Sequence, residues 1–321
     1  MGRRLVVAML LAAGITGAAA QDYPTRPVTL VAPFPPGGPS DTTARLIATN
    51  MAKALGQPVI VENVSGAGGT IGSNRVAKAT PDGYQIVLSG SGTHAAIEYL
   101  VKDPPYKSGD WEHIGLINVS PVVLVAKKDV PANTLAELAA IDRRNPGEYS
   151  FAIDGPRNLA GVTAQAFQHH AGTKFVYVTY PNIVNGLQDL VARRLQVGVF
   201  PVAISGDFVR EGSLKALAVA GLKRIGAFPD VPSAAETYPE FDFSGWFVLL
   251  APKGTPPEII AKLNEATDKA MRDPQILAMA PKLGYDFDAN GSGSPARARQ
   301  FIAQQLAFWE KTVKQLGIEP E

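Results

Sequence analysis

Residues 28–41 read Val-Thr-Leu-Val-Ala-Pro-Phe-Pro-Pro-Gly-Gly-Pro-Ser-Asp. The apolar start predicts a short strand, the Pro/Gly run cannot continue it, and Ser40 or Asp41 is expected to cap a helix that runs to about Leu55. A helix that begins after a glycine-rich loop presents unpaired backbone N–H groups and the positive end of its dipole. This loop therefore favours an anion.

The same pattern of strand, loop and helix recurs twice before residue 100. A strand over Pro58–Glu62 leads through a glycine-rich loop into a helix from about Thr70, and a strand over Gly83–Ser89 leads through Gly90–His94 into a short helix. Three such units predict a parallel sheet of the α/β class. Their loops gather at the carboxyl ends of the strands, where open α/β sheets bind ligands.

The rest of the chain predicts a second α/β lobe. Strands are expected at 149–153, 175–178, 195–200 and 214–219, and three strandless C-terminal helices have to cover the sheet of the first lobe. We therefore predict a discontinuous first lobe, 21–120 plus 245–321, and a second lobe, 121–244, joined by two crossover strands. A cleft between two lobes is a natural ligand site.

The N-terminus and the composition limit the classes of function. We predict that Met1–Ala20 is a cleaved signal peptide, because it contains Arg3 and Arg4, then a short apolar run, then small residues before Gln21. The protein is therefore expected to be exported. The chain has no cysteine, which excludes disulfides and thiolate metal sites. Its formal net charge of +1, without clustered Lys or Arg, argues against nucleic-acid binding.

Several long stretches resemble one family. They are residues 23–27 (Tyr-Pro-Thr-Arg-Pro), the loop 31–38 with Asp41 and Arg45, residues 61–72, and residues 76–84 (Val-Ala-Lys-Ala-Thr-Pro-Asp-Gly-Tyr). The chain resembles the periplasmic solute-binding proteins of the Bug/TctC type, the extracytoplasmic components of tripartite tricarboxylate transporters. The resemblance implies a two-lobed periplasmic-binding-protein (Venus flytrap) fold that binds a carboxylate between its lobes and delivers it to membrane permease subunits.

The resemblance also implies which residues hold the ligand. One carboxylate would lie on the two glycine-rich loops of the first lobe, at Phe34, Gly37, Gly38, Asp41, Ala67, Gly68 and Gly69. Further candidates from the other predicted loops and walls are Ser89, Thr93, His94, Asp154, Arg157, Asn158, Thr179, Tyr180 and Trp246. The second lobe departs from the family pattern, since Arg157, Asn158 and Gly161 stand where a Gly-Ser pair and a histidine are common. The half of the pocket that should set ligand choice is therefore the least transferable.

Several candidates have two interpretations. Asp41 is either a helix cap or an acceptor for a ligand ammonium or hydroxyl group. Arg157 is either a solvated arginine or a clamp that holds a second carboxylate through two parallel hydrogen bonds. His94 either caps its own helix or touches the ligand, and Tyr180 and Trp246 either wall the pocket or pack in a core.

The expected function is capture of a small organic carboxylate, a di- or polycarboxylate or an aromatic acid, by a monomeric receptor without a metal or other cofactor. A receptor that presents its ligand to a sensor kinase fits the sequence equally well. An exported hydrolase fits poorly, because the chain lacks cysteine, has no serine in a G-x-S-x-G turn, and has no suggestive partner for its histidines. The glycines at 66, 68, 69 and 72 do not have the G-x-G-x-x-G spacing of a dinucleotide site.

Overall fold

A computed structural model describes residues 23–285 and 291–320 of the chain. The signal-peptide prediction for Met1–Ala20 lies outside these residues. The strands are β1 (Val28–Ala32), β2 (Val59–Asn63), β3 (Gln85–Gly90), β4 (Trp111–Ser120), β5 (Val122–Lys127), β6 (Ser150–Ile153), β7 (Val176–Thr179), β8 (Val197–Pro201), β9 (Leu214–Val219) and β10 (Gly245–Pro252).

The helices alternate with these strands and then follow them at the C-terminus. They are α1 (Pro39–Leu55), α2 (Thr70–Ala77), α3 (Ile97–Leu100), α4 (Leu135–Arg144), α5 (Leu159–Ala171), α6 (Ile183–Val191), α7 (Val202–Arg210), α8 (Pro257–Met271), α9 (Pro274–Leu283) and α10 (Pro295–Leu316). A π-helical turn over Ser91–Ala96 leads into α3. No helix in the described parts of the chain combines the length and the apolar character that crossing a membrane requires.

Two five-stranded sheets form the two lobes. The first has the order β2-β1-β3-β10-β4, and the second has the order β7-β6-β8-β5-β9. In the first sheet β1 runs parallel to β2 and β3, as predicted, whereas β10 is antiparallel to β3 and β4. The second sheet repeats this arrangement, with β5 antiparallel to β8 and β9. The antiparallel strand in each sheet is the one that enters from the other lobe.

The chain crosses between the sheets at two adjacent places. The first sheet's β4 ends at Ser120 and the second sheet's β5 begins at Val122, while Gly245, at the start of β10, pairs with Ser120. Backbone bonds tie the crossings together, because Ala220 donates to the carbonyl of Val122 and Phe243 donates to the carbonyl of Ala220. The lobe bounds 21–120 plus 245–321 and 121–244 stay a prediction, and the two sheets separate within two residues of them.

Helices cover both faces of the first sheet. Leu30 packs with residues of α1 and α8, whereas the next residue, Val31, belongs to the core on the opposite face. This alternation follows from the two-residue period of a strand. The C-terminal helices α8 and α10 both contact β4, so the expectation that the C-terminal helices cover the sheet of the first lobe is confirmed for these two. The third helix, α9, contacts α8 and also α7 of the second lobe.

Candidate functional site

A cavity of about 320 Å³ lies between the two sheets. The loops that follow β1, β2 and β3 form one wall, and the loops after β6 and β7 with the end of β8 form the opposite wall. The crossing strands close the floor. The lining residues are Phe34, Pro35, Gly38, Pro39, Ser40, Ser65, Gly66, Ala67, Gly68, Gly69, Gly90, Ser91, Gly92, Thr93, Ser120, Val122, Asp154, Asn158, Leu159, Ala160, Pro181, Asn182, Ile183, Pro201, Gly245, Trp246 and Phe247.

The loop after β1 ends at the first turn of α1. The N-cap residue is Gly38, and no side chain caps the helix, so the prediction of Ser40 or Asp41 as the cap is wrong. Pro39 explains the earlier start, since its fixed φ and missing N–H suit the first helical position. The buried hydroxyl of Ser40 has no hydrogen-bond partner and lines the cavity.

Asp41 holds the first loop together from outside the cavity. Its carboxylate accepts a hydrogen bond of 2.9 Å from the backbone nitrogen of Gly37 and lies 2.9 Å from the Arg45 guanidinium. Burial opposes ionisation, but hydrogen bonds from Arg45, Gly37 and Asn63 more than offset it and lower the pKa of Asp41. An ionised, internally paired Asp41 leaves the cavity side of this loop free of negative charge.

The loop after β2 requires glycine for both conformation and space. Gly68 and Gly69 have φ values of +65° and +94°, which L-residues rarely adopt. A Cβ atom on Gly69 would lie 2.6 Å from Cγ2 of Thr93 and 3.0 Å from Cζ of Phe34. The three loops of the first lobe therefore pack directly on one another, and their glycines expose backbone to the cavity.

Several donors of these loops point to an anion site. Among the described residues, no protein acceptor is found for the backbone N–H groups of Gly38 and Gly68. The first turn of α1 begins at Pro39, beside Ser40, and the first turn of any helix leaves N–H groups without intrahelical acceptors. These groups lie at the positive ends of helix dipoles, so the first lobe offers an anion a set of neutral donors.

The second lobe meets the first through Asn158. The Nδ2 of Asn158 donates to the backbone carbonyl of Asp154 over 3.1 Å. The Oδ1 of the same amide lies 2.9 Å from the place that a Cβ on Gly68 would occupy. The turn before α5 thus touches the second glycine-rich loop across the cavity, and the two lobes are closed on each other at this point.

The cavity carries little charge. Among the described residues that line it there is no lysine, arginine or histidine, and Asp154 is the one ionisable side chain in that set. Burial raises the pKa of Asp154 to about 7, although backbone hydrogen bonds from Gly161, Asp154 itself and Ala160 act in the opposite direction. Trp246 and Phe34 supply flat apolar walls.

The structure brings only part of the predicted site residues into the cavity. Those that line it are Phe34, Gly38, Ala67, Gly68, Gly69, Thr93, Asp154, Asn158 and Trp246. Those that do not line it are Gly37, Asp41, Ser89, His94, Arg157, Thr179 and Tyr180. Contact of any of these residues with a ligand stays a prediction.

The residues outside the lining have other surroundings. Ser89 is buried and shares a hydrogen bond of 2.9 Å with the Thr93 hydroxyl. Thr179, the last residue of β7, is exposed, and Tyr180 turns away to donate to the Asp189 carboxylate over 2.8 Å. Arg157 is half-buried on the turn before α5.

His94 neither caps a helix nor lines the cavity. It is 1% exposed, and it packs against the rings of Trp111, His113 and Trp246. Neither of its ring nitrogens has a hydrogen-bond partner in the described structure. Burial, and the neighbouring His113, lower the pKa of His94 to about 3, so this histidine is a neutral core residue beneath the cavity wall.

Some lining residues were missed by the sequence analysis. They are mainly small polar residues and glycines beside the predicted ones: Ser40, Ser65, Gly66, Ser91, Gly92, Ser120, Asn182 and Gly245. The sequence could have predicted most of these positions, because they lie in loops that follow predicted strands. The candidate at Thr179–Tyr180 was placed about two residues too early, since the lining there begins at Pro181.

The comparisons with known proteins agree with this architecture. A family model, TctC, described as "Tripartite tricarboxylate transporter family receptor", matches residues 43–318. The chain belongs to this family. The receptor is also similar to the solved structure of the periplasmic binding protein BugD, with 32% sequence identity, a TM-score of 0.87, and coverage of 93% of this chain and 100% of that chain.

Two other similar structures are described with ligands. One is that of R. palustris Rpa4515 with adipate, with 29% identity, a TM-score of 0.87, and coverage of 94% of this chain and 100% of that chain. The other is MatC (Rpa3494) from Rhodopseudomonas palustris with bound malate, with 33% identity, a TM-score of 0.85, and coverage of 91% and 100%. The predicted family and the two-lobed periplasmic-binding-protein fold are confirmed, and the receptor is of the solute-binding type.

Proposed function

We propose that the receptor captures a small organic carboxylate in the cavity between its lobes and delivers it, in the periplasm, to the permease subunits of a tripartite tricarboxylate transporter. The observation that carries the proposal is the first-lobe wall of the cavity. There two glycine-rich loops present backbone N–H groups at helix starts that have no acceptor in the described structure, and none of the lining residues that the structure describes is basic. The ligand carboxylate would lie on Gly38, Ser40 and Gly68.

This wall suits an anion that has to be released again. Transfer of a carboxylate out of water is costly unless its hydrogen bonds are replaced. Backbone dipoles and the Ser40 hydroxyl replace that hydration without a full countercharge. Neutral donors hold the anion less tightly than a buried arginine pair would, which suits delivery to a membrane partner.

The related structures with adipate and malate support this class of ligand. Both ligands are small aliphatic acids, and the aromatic walls at Phe34 and Trp246 also suit a flat acid. We therefore propose small organic carboxylates as the ligand class, including the di- and polycarboxylates expected from the sequence.

A thermal-shift screen tests the proposal. Mature protein is unfolded to remove bound ligand, refolded, and heated with a panel of aliphatic and aromatic carboxylates. Their neutral amides serve as controls. A ligand at a hundredfold excess over its Kd stabilises the native state by about 2.7 kcal/mol, which raises Tm by several degrees. A panel in which no carboxylate raises Tm would refute carboxylate capture.

Delivery needs a separate measurement. Deletion of the receptor should abolish uptake of the radiolabelled ligand by cells that contain the permease subunits, and the plasmid-borne receptor should restore it. Normal uptake in the deletion strain, combined with loss of a transcriptional response to the same ligand, would instead indicate presentation to a sensor kinase.

A further inference from the structure

The second-lobe wall of the cavity differs in charge from the first. Asp154, directly after β6, is the one ionisable side chain among the lining residues in residues 23–285 and 291–320. The described ion pairs do not include Asp154. Arg157 follows on the same turn but is not among the residues that line the cavity. The second-lobe end of the cavity therefore presents a carboxyl group.

The backbone fixes this carboxyl group at the start of α5. The backbone nitrogen of Gly161 donates to Oδ1 of Asp154 over 3.4 Å. A Cβ atom on Gly161 would overlap the carbonyl oxygen of Gly155, so glycine at this position allows the turn to lie directly on the helix. The amide of Asn158 also holds the Asp154 carbonyl from the other side. The carboxyl thus occupies the helix N-terminus that would otherwise attract an anion.

The acid near the start of α1 in the first lobe is arranged differently. Asp41 lies in the first turn of α1, but its carboxylate faces Gly37 and Arg45 and does not line the cavity. The first-lobe site is thereby open to a ligand anion, whereas the second-lobe site already contains a carboxyl group of the protein. The two ends of the cavity are complementary to different chemical groups.

Building on the carboxylate capture proposed above, we propose that Asp154 determines specificity at the far end of the ligand by accepting a hydrogen bond from a hydroxyl, amide or ammonium group and disfavouring a second carboxylate. The preferred ligand then has one carboxylate, bound by the first lobe, and a donor at its other end. An unneutralised pair of like charges in a water-poor cavity is strongly unfavourable. A donor on the ligand, in contrast, gives Asp154 a partner.

The ionisation of Asp154 should set the strength of this selection. Because burial raises the pKa of Asp154 to about 7, the group is largely ionised at pH 8 and largely neutral at pH 6. In the described part of the chain, the first-lobe loops, the β7–α6 loop and the crossing strands contribute no other titratable lining residue, and Arg157 is the charged neighbour on its own turn. Discrimination against a second carboxylate is therefore expected to weaken at pH 6.

Matched series of ligands test the proposal by isothermal titration calorimetry at pH 8. One series is adipate, 6-hydroxyhexanoate, 6-aminohexanoate and hexanoate, and the other is succinate, 4-hydroxybutanoate, 4-aminobutanoate and butanoate. Each is measured on the wild type, on Asp154→Asn, and on Asp230→Asn, which removes the same charge from an exposed site. Melting curves without ligand establish that each variant is folded.

The wild type should bind the hydroxy or amino acid at least about tenfold more tightly than the diacid of equal length. Asp154→Asn should remove most of that difference by gaining affinity for the diacid, and Asp230→Asn should keep it. Tighter binding of a diacid by the wild type, or an unchanged preference in Asp154→Asn, would overturn the role of Asp154 while leaving carboxylate capture in place. Failure of both series and of the wider carboxylate panel would overturn carboxylate capture itself.

Discussion

Replacement of Gly68 with alanine is expected to weaken ligand binding by opposing the contact between the lobes. Gly68 has a φ of +65°, and a Cβ there would lie 2.9 Å from Oδ1 of Asn158 on the other lobe. Gly56, which follows α1, provides a matched control, since it has a φ of +69° and nothing within 4 Å of the corresponding Cβ position. Both substitutions place alanine in the left-handed region, at a cost of about 1–2 kcal/mol.

The additional cost at Gly68 can be worked out from the contacts of Asn158. If the amide keeps its place, the overlap costs about 1–3 kcal/mol. If it rotates away, it loses the 3.1 Å hydrogen bond to the Asp154 carbonyl, which is worth about 1 kcal/mol. Rotation of the amide costs less free energy than the overlap, so it is the expected response, and closure of the lobes should become less favourable by about 1 kcal/mol. This corresponds to an increase of about fivefold in Kd.

Titration calorimetry with the best ligand of the carboxylate panel measures this effect. Gly68→Ala should bind about fivefold more weakly than wild type. Gly56→Ala should bind normally while losing a similar free energy of unfolding in urea. In an Asn158→Ala background the same glycine substitution should cost little affinity, because its contact partner is gone. Wild-type affinity of Gly68→Ala, or an equal loss in the Asn158→Ala background, would refute the reasoning.

Three further predictions concern the pH dependence, the anion site and its support. Burial lowers the pKa of His94 to about 3 and that of His113 to about 4. As pH falls below about 6.5, the unfolded chain therefore binds protons at these histidines before the folded protein does, and each histidine should lower the free energy of unfolding by about 2 kcal/mol by pH 5. The raised pKa of Asp154 acts in the opposite sense, because the folded protein takes up this proton first, and it offsets the effect of one histidine. Urea denaturation should therefore show a net decrease of about 2 kcal/mol in the free energy of unfolding, and this decrease should disappear in His113→Gln. A decrease that persists in His113→Gln would contradict its assignment to the buried histidines. Ser40→Ala removes an unpartnered hydroxyl, so Kd should rise about tenfold with an unchanged Tm of the ligand-free protein, and unchanged affinity would exclude this hydroxyl from the anion site. Asp41→Ala removes the acceptor of the Gly37 N–H group and should lower the unfolding free energy by about 1–3 kcal/mol in urea denaturation, and a loss below 0.5 kcal/mol would show that this contact is not structural.

The first-lobe wall could be predicted from the sequence because its signals are local. A strand, a Pro/Gly loop and a helix follow one another within the 28 residues from Val28 to Leu55, and the same order of signals recurs from β2 onward. The conformation of Gly68 and Gly69 is likewise a property of the loop itself. The position of each loop follows from the end of the strand before it. Phe34 and Gly38 after β1, and Gly68 after β2, were therefore predicted in a wall that the structure forms.

Other positions depend on contacts between distant parts of the chain. His94 follows the third loop, but its ring is buried against Trp111 and Trp246, which come from β4 and β10. The wall after β7 depends on where that strand ends, and an error of two residues exchanged Tyr180 for Asn182. Whether an acid near a helix start faces the cavity, as Asp154 before α5 does and Asp41 in the first turn of α1 does not, is decided by partners outside the local pattern.

Recognition and closure use the same turn of the second lobe. Asp154 lines the cavity, Asn158 touches the first lobe at Gly68, and Leu159 lies against the crossing at Gly245, where a Cβ would come within 3.0 Å of its Cδ2. A ligand can favour the closed form only through contacts that the open form lacks. An acid held by the first lobe alone gains nothing from closure, whereas one that also engages Asp154 draws Asn158 and Leu159 onto the first lobe. Selection at Asp154 is therefore expected to decide which ligands close the receptor as well as which ones bind.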